Sequence, residues 1–412
     1  MNAIERRMRR ILFYSALVFC VFGCDSKSSP NPATPNAVDV DSTGAHDVEK
    51  VATLSAPPGE AGPFLVRSDA LFPTQIFGFA ATETHIAIAM QSDVRDVSQC
   101  VQTQLPICFQ GAALLTTRRN PNAAMRVDLY ESDTQSGARV DGVESVGQYF
   151  AFAIRDGVYA GDTPRQTLAI FHQDGTTTAR LDLTSPQAKC HQIALAAQED
   201  NRVVVCRALD LNDLKSSHQI DCQSVGVATG KSSHLGSIAT QAPVRSLSII
   251  EGFDRILVAW TSNAHAYVAF LDDPGNVIDL GASTAIRPSL ARGADRFAIA
   301  WQGDDGTFKI DAIYPAKQNR HDTRQTIVLN GVYERSLGAL VAFSRGYAFA
   351  FRHQNTQQIA IVDADLKSWY LADNSTQWRM FSQYGALDID NAHNGKFVWQ
   401  TVESLILKTT GD

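Results

Sequence analysis

A short apolar segment recurs seven times along the chain, and a polar residue closes it each time. Each copy holds about four apolar residues that favour β-structure, and successive copies lie about 40–65 residues apart. Short apolar runs of this kind are typical of buried strands, so each copy is predicted to form one. The copies are HIAIAMQ at 85–91, YFAFAIR at 149–155, RVVVCR at 202–207, RILVAWT at 255–261, RFAIAWQ at 296–302, GYAFAFR at 346–352 and KFVWQT at 396–401.

Further short strands are predicted on both sides of each copy. One precedes it across a loop that contains Gly, Asp or Asn, and two follow it, as in 167–183 and 266–280. Such residues are typical of tight turns. No stretch has a convincing period near 3.6 residues, so few helices are expected. Units of about 40–50 residues that hold four strands are typical of propeller blades.

The predicted fold class is therefore all-β, and the predicted architecture is a β-propeller with seven blades. Six blades is the alternative if the first or last unit is misread, and a pair of two-sheet β-sandwiches is the other fold considered. The last unit offers only three strands, at 385–390, 396–401 and 404–409. A fourth from residues 64–67 would close the ring with strands from both termini, which removes exposed strand edges.

The first 23 residues have the three parts of a secretory signal peptide. Four arginines between residues 6 and 10 form a basic start, residues 11–22 are apolar and uncharged, and Gly23 is the small residue at the cleavage site. The apolar run is too short to span a bilayer core of roughly 30 Å as a permanent helix. We therefore expect residues 1–23 to be removed, which leaves the rest of the chain outside the cytoplasm.

Cys24 directly follows this small residue, and Val21-Phe22-Gly23-Cys24 resembles the lipobox of bacterial lipoproteins. The resemblance implies lipid attachment to the Cys24 thiol, cleavage before it and acylation of the new amine, which together anchor a protein stably. An ordinary cleaved signal peptide is the alternative. Asp25 resembles an inner-membrane retention signal of enteric bacteria, a rule that transfers poorly between lineages, so inner and outer membrane both stay open.

Residues 24–63 are rich in Ser, Pro, Asn, Thr and Asp and contain no aromatic residue. Such a segment cannot bury enough apolar surface to offset its ordering entropy, so it is predicted to be a disordered tether. The expected organisation is thus a lipoprotein signal peptide (1–23), a tether (24–63) and a β-propeller domain (64–412). The serial hairpins of the last part resemble the β-propeller lipoproteins of bacterial envelopes.

The chain carries a formal net charge of −7. An acidic surface argues against a nucleic-acid partner, which needs phosphate neutralisation by Lys and Arg. It also argues against electrostatic docking on anionic lipids. The expected location is the extracytoplasmic side of a bacterial cell envelope, where the protein contacts its membrane through the N-terminal lipid only.

Five cysteines follow the lipobox, and an oxidising envelope favours disulfides over metal sites. A Cys100–Cys108 bond would stiffen a long loop in the first predicted blade. A Cys206–Cys222 bond would clamp a second long loop, and a Cys190–Cys206 bond is the alternative. No CxxC motif and no His pair at zinc-like spacing occurs, so neither a metal nor another cofactor is expected.

The polar residues that close the repeated strands would ring one face of a propeller. Propellers commonly bind ligands on the face where long loops join their strands, and both long loops would open there. Arg and Gln side chains could hold an anionic or sugar-like ligand through bidentate hydrogen bonds. Polar strand ends with no role in binding are the alternative. The residues are Gln91, Arg155, Arg207, Thr261, Gln302, Arg352 and Gln400.

No GxSxG, HExxH, P-loop or Gly-rich dinucleotide motif occurs in the chain. An enzyme on a propeller would need two or more acids that converge on the central channel from different blades, and no such repeated placement is apparent. The expected function is therefore a non-enzymatic binding or scaffolding protein with a protein or glycan partner. A propeller-based envelope hydrolase or lyase that acts on glycan is the alternative, and acids lining the channel would favour it.

Overall fold

A computed structural model describes the strands and many of the turns between them. The predictions for residues 1–63, which include Cys24, and for Cys100 and Cys108 lie outside the described residues. So does the predicted strand at 404–409. Contacts divide the chain into units Met1–Thr53 and Leu54–Asp412, and every described residue belongs to the second. The described residues are 64–67, 73–93, 109–117, 125–131, 138–156, 165–185, 188–211, 217–284, 286–315, 326–329, 339–353, 356–371, 380–390 and 396–400.

The described residues are all-β: they form seven four-stranded antiparallel sheets and contain no helix. The first three sheets are each built from four strands in chain order. Sheet 1 contains β2 (Pro73–Ala81), β3 (His85–Asp93), β4 (Phe109–Thr117) and β5 (Met125–Glu131). Sheet 2 contains β6 (Ala138–Val146), β7 (Tyr149–Asp156), β8 (Arg165–His172) and β9 (Thr177–Asp182). Sheet 3 contains β10 (Ala188–Gln198), β11 (Arg202–Leu211), β12 (His218–Gly226) and β13 (Ser232–Thr240).

The next three sheets repeat this arrangement. Sheet 4 contains β14 (Val244–Gly252), β15 (Arg255–Ser262), β16 (His265–Phe270) and β17 (Ile278–Ala282). Sheet 5 contains β18 (Ser289–Arg292), β19 (Phe297–Gln302), β20 (Phe308–Ile313) and β21 (Thr326–Leu329). Sheet 6 contains β22 (Ala339–Phe343), β23 (Gly346–His353), β24 (Thr356–Asp363) and β25 (Trp369–Leu371).

Sheet 7 combines strands that are far apart in the sequence. Its order is β26 (Met380–Ser382), β27 (Gly385–Asp390), β28 (Lys396–Gln400) and β1 (Phe64–Arg67). The strand β1 pairs antiparallel with β28, with Phe64 opposite Trp399. The expected order within this unit is wrong in one respect, because β26 takes the first place and β28 is the third strand instead of the second.

Each of the seven repeated segments contributes a strand, as predicted; these strands are β3, β7, β11, β15, β19, β23 and β28. In sheets 4 and 5 every residue of the second strand is buried. A strand covered on both faces carries mainly apolar residues on both, which explains why the central part of each segment is a continuous apolar run. The repeated pattern therefore marks a strand that neighbouring sheets cover on both sides, and it does not give the strand's place within its sheet.

Consecutive sheets pack face to face through their apolar side chains. Trp260 of sheet 4 and Ile220 of sheet 3 belong to one buried cluster. Phe152 of sheet 2 and Leu115 of sheet 1 belong to another. Between sheets 5 and 6, the rings of Phe308 and Phe349 lie 4.9 Å apart. The core is thus divided into layers between neighbouring sheets.

The first strands of the sheets contact one another in chain order. The strands β2, β6, β10, β14, β18, β22 and β26 each contact the next, and β26 also contacts β2. In four of these strands a bulge interrupts the pairing with the second strand. A bulge leaves one residue outside the regular ladder and changes the direction of its side chain. The residues left out of the ladders are Thr74, Phe77, Asp141, His191 and Arg245.

Candidate functional site

A cavity of about 490 Å³ lies among the first strands of the sheets. Residues of β2, β6, β10, β14 and β22 line it, together with residues 287–292 at and before β18 and the turn between β26 and β27. Every sheet therefore contributes to the wall. Cavities of about 300–1,000 Å³ with a few polar groups among apolar ones are typical ligand sites in proteins.

Glu144 on β6 is a buried carboxyl group in the wall of this cavity. Its carboxyl oxygens accept hydrogen bonds from the Ser145 backbone N–H at 3.2 Å and from Nε2 of Gln383 at 3.1 and 3.3 Å. Burial raises the pKa of Glu144 to about 8, and the two donors oppose that shift without overcoming it. Glu144 is therefore mostly protonated at neutral pH and can donate a proton.

Glu251 on β14 is a second acid in the wall of the same cavity. Burial raises the pKa of Glu251, repulsion from Glu199 and Asp254 raises it further, and Arg292 lowers it. Glu144 and Glu251 come from sheets 2 and 4. Acids from two different sheets therefore line one cavity, although the sequence shows no repeated placement of acids.

A signal for both acids exists in the sequence. Glu144 stands five residues before the repeated segment YFAFAIR, and Glu251 stands four residues before RILVAWT. Each lies near the end of the first strand of its sheet. The repeated segments do not contain these two acids, because the strand that faces the cavity is the one before each repeated segment.

A cluster of three arginines around Asp141 lies beside the cavity, and one of them lines it. Asp141 is the bulged residue of β6. Its Oδ1 accepts a hydrogen bond from Nε of Arg139 at 2.7 Å and another from Nη2 of Arg155 at 3.1 Å, and its Oδ2 accepts one from Nε of Arg155. Arg287 in the cavity wall donates from Nε to Oγ of Ser248 at 3.0 Å and from Nη1 to the Asp141 backbone oxygen at 3.3 Å.

Four of the seven predicted binding-face residues have described side chains, and each bonds within the protein. Arg155 binds Asp141, and Arg207 binds Oδ2 of Asp221 at 2.6 Å. Oγ1 of Thr261 and Oγ of Ser246 lie 2.6 Å apart, and Gln302 donates from Nε2 to the Gly306 oxygen at 2.8 Å. The side chains of Gln91, Arg352 and Gln400 lie outside the described part of the structure. The binding role of this face stays a prediction.

Cys206 and Cys222 form a disulfide across β11 and β12, which confirms that predicted pairing. The alternative Cys190–Cys206 bond is wrong, because Cys190 is a buried free thiol. Burial raises the pKa of Cys190 to about 12, so that this thiol is unreactive at neutral pH.

Removing the disulfide is expected to destabilise the protein by about 3 kcal/mol, because the bond closes a loop with a sequence separation of 16 residues. The test compares the C206A/C222A variant with wild type by urea unfolding without reductant. The Cys190→Ala variant is the matched control for the loss of a buried sulfur. A loss for the double variant no larger than that of the control would show that the bond contributes nothing.

The remaining features of the described residues add neither a metal site nor a membrane helix. No group of three or more His, Cys, Asp or Glu side chains that could hold a metal ion occurs among them. Within the same residues, no helix is long and apolar enough to cross a membrane.

No family model matches this chain, and no curated protein matches it. Solved structures similar to it include a prolyl endopeptidase (13% identity, TM-score 0.43, 79% of this chain and 44% of that chain). An acylaminoacyl peptidase from Pyrococcus horikoshii is another (9% identity, TM-score 0.47, 79% of this chain and 51% of that chain). The β-propeller domain of the Trilobed protease from Pyrococcus furiosus is a third (8% identity, TM-score 0.46, 80% of this chain and 94% of that chain). The chain spans about half the length of the first two.

The similar structures also include a sialidase and an oligogalacturonate lyase, so the expectation that the protein is not an enzyme is withdrawn. At such low identity a likeness concerns the fold alone and transfers no activity to this chain. The class defined by fold and cavity is an all-β protein of four-stranded antiparallel sheets with two acids in one cavity.

Proposed function

We propose that the seven sheets are the blades of a seven-bladed propeller that strands from both ends of the chain close. The support is twofold. The first strands contact one another in a ring that returns from β26 to β2, and sheet 7 joins β1 to β28. Under this proposal the cavity is part of the central channel.

We propose further that the protein is a hydrolase or lyase that acts on glycan in this channel. The observation that carries the proposal is that Glu144 and Glu251, from two sheets, line one cavity. Burial of Glu144 raises its pKa to about 8, which favours the protonated form at neutral pH. Cleavage of a glycosidic bond uses two carboxyl groups, of which one is a general acid with a raised pKa. Residues with shifted pKa values in a cavity are candidates for such roles.

The two acids have different roles in this proposal. Glu144 protonates the oxygen of the leaving sugar, because it is the acid that is protonated at neutral pH. Glu251 is the second carboxyl group, and it acts as its ionised form on water or on the sugar. Burial and the nearby acids raise the pKa of Glu251, and the positive charge of Arg292 opposes that rise and so favours the ionised form.

The location of the protein is also a proposal. A lipid on Cys24 would hold the chain in a bacterial envelope, and residues 24–63 would be the tether between membrane and propeller. The Cys206–Cys222 disulfide supports a location outside the cytoplasm, because disulfides persist in oxidising compartments. The same cavity would then meet envelope or extracellular glycans.

The test is a cleavage assay with the full chain in detergent. Purified protein is incubated with envelope polysaccharides and peptidoglycan, and new reducing ends and unsaturated sugar products are measured. Wild type is expected to cleave at least one glycan, and Glu144→Gln to lose on the order of 10²–10⁴-fold in rate, because general acid catalysis contributes about that much. Glu83→Gln, which changes an exposed glutamate outside the cavity, is the matched control and is expected to keep the wild-type rate.

Two results would contradict the enzyme proposal. One is equal cleavage rates for wild type and Glu144→Gln. The other is no cleavage of any glycan by a wild-type protein that still binds glycan, which would make the cavity a binding site without turnover.

A further inference from the structure

The wall of the cavity contains a cation whose charge has no carboxylate bonded to it. Among the described residues, Arg287 forms no ion pair, and its hydrogen bonds go to the Ser248 hydroxyl and to a backbone oxygen. The nearby carboxylate of Asp141 already forms ion pairs with Arg139 and Arg155. A guanidinium group in this position is ready to bind an anion that enters the cavity.

The charge around Arg287 favours an anion. Three arginines stand near one aspartate, and Glu144 on the same strand as Asp141 is mostly neutral at pH 7. Burial lowers the pKa of Arg287, Asp141 opposes that shift and Arg139 adds to it. Because the guanidinium group of Arg287 is partly removed from water, its pairing with an anion is more favourable than it would be at an open surface.

We propose that Arg287 binds the carboxylate of an acidic sugar, so that the ligand of the cavity is a glycan that contains uronic acid or another carboxylated residue. A planar guanidinium group matches a carboxylate through two parallel hydrogen bonds. The single negative charge of a carboxylate also matches the single positive charge of Arg287. The claim that the acidic glycan is a substrate rests on the proposed enzyme function. The claim that Arg287 binds a carboxylate does not depend on that function.

The experiment measures binding by calorimetry to the full-length Glu144→Gln protein, because this variant is expected to cleave a glycan much more slowly than wild type. The probes are oligosaccharides of galacturonate, of alginate and of hyaluronan, each beside a neutral oligosaccharide of the same length. At least one acidic probe is expected to bind about tenfold or more tightly than its neutral counterpart. Adding Arg287→Gln is expected to weaken that binding about 10- to 100-fold, as for the loss of hydrogen bonds between charged groups.

Two further variants separate recognition from general charge. Arg245→Gln removes the same charge from an exposed residue outside the cavity and is expected to leave binding unchanged. Arg287→Lys keeps the charge but loses the planar fork, and is expected to restore only part of the affinity. Thermal unfolding of each variant checks that it is folded.

The outcomes distinguish this inference from the enzyme proposal. If acidic probes bind through Arg287 but wild type cleaves no glycan, the binding site is correct and the enzyme proposal fails. If wild type cleaves a neutral glycan and Arg287→Gln cleaves it equally well, the enzyme proposal stands and the inference about acidic sugars is wrong. Equal binding of acidic and neutral probes, or no binding of any acidic probe, also overturns it.

Discussion

Replacing Glu144 by glutamine is expected to make the stability of the protein much less dependent on pH. The pKa of Glu144 is about 8 in the folded protein, against 4.5 for an ordinary glutamate. Between these values the folded protein keeps a proton that the unfolded chain has lost, so this group makes stability fall as pH rises. Below pH 4.5 both states hold the proton, and above pH 8 neither does.

The size of this effect follows from the shift. A shift of one pKa unit corresponds to about 1.4 kcal/mol. Between pH 4.5 and pH 8 the ionisation of Glu144 is therefore expected to lower the free energy of unfolding by on the order of 5 kcal/mol. Glutamine has nearly the shape of a protonated glutamate and does not ionise. Wild type and Glu144→Gln are therefore expected to have similar stability at pH 5, whereas the variant is the more stable protein at pH 9.

Urea unfolding of both proteins at pH 5, 7 and 9 measures this difference directly. Other titrating groups affect both proteins alike, so the difference between the two curves isolates Glu144. The Glu83→Gln variant is the control, because that glutamate is exposed. Parallel curves for wild type and Glu144→Gln would show that Glu144 is ionised at pH 7, and would remove the basis for its role as an acid.

The second large effect is expected for Arg155→Met, with a loss of about 3–5 kcal/mol. Both side chains of the Arg155–Asp141 pair are 5% exposed. Removing the arginine leaves a buried carboxylate without its main partner, and breaking a buried ion pair costs about that much. The variant also removes the hydrogen bond from Arg155 to the His191 backbone oxygen, which links sheet 2 to sheet 3.

Arg139→Met is the matched control, because Arg139 binds the same carboxylate but its side chain is 42% exposed. Exposed ion pairs contribute about 1 kcal/mol or less, so the control is expected to lose much less stability. Adding Asp141→Asn to Arg155→Met is expected to recover part of the loss, since the unpaired charge disappears. Chemical unfolding of the four proteins tests this, and equal losses for the two arginine variants would contradict the account of the buried pair.

The repeated apolar segments predicted the strands well, because their burial on both faces leaves a plain pattern in the sequence. The pattern in KFVWQT at 396–401 placed β28 second in its unit, whereas β26 makes it the third strand. The missing information was a strand of three residues, Met380–Ser382. Such a short strand has too few positions to show any period.

The candidate site was harder to predict than the strands. The sequence marks Arg155, Thr261 and Gln302 as polar ends of strands, but all three are buried and bond to other groups of the protein. Buried polar groups need such partners, and the partner of Arg155 lies on a neighbouring strand at a bulge. Spacing along the chain gives the position of a strand end, but it does not give the residue that stands opposite.

The pairing of Cys206 with Cys222 was predictable for a physical reason. The two residues lie on adjacent strands joined by one loop and stand directly opposite in the ladder. Glu144 and Glu251 were missed because their approach to one cavity depends on how sheets 2 and 4 are arranged in space. Local spacing shows that both precede a hairpin, but it cannot show that they share a cavity.

The most direct test of the central claim, that Glu144 is the acid of a glycan-cleaving site, is the pH dependence of cleavage by wild type and Glu144→Gln. The claim predicts that the wild-type rate falls above pH about 8, where Glu144 loses its proton, and that the variant is nearly inactive at every pH. No cleavage by wild type at any pH, or the same pH profile for both proteins, would contradict it.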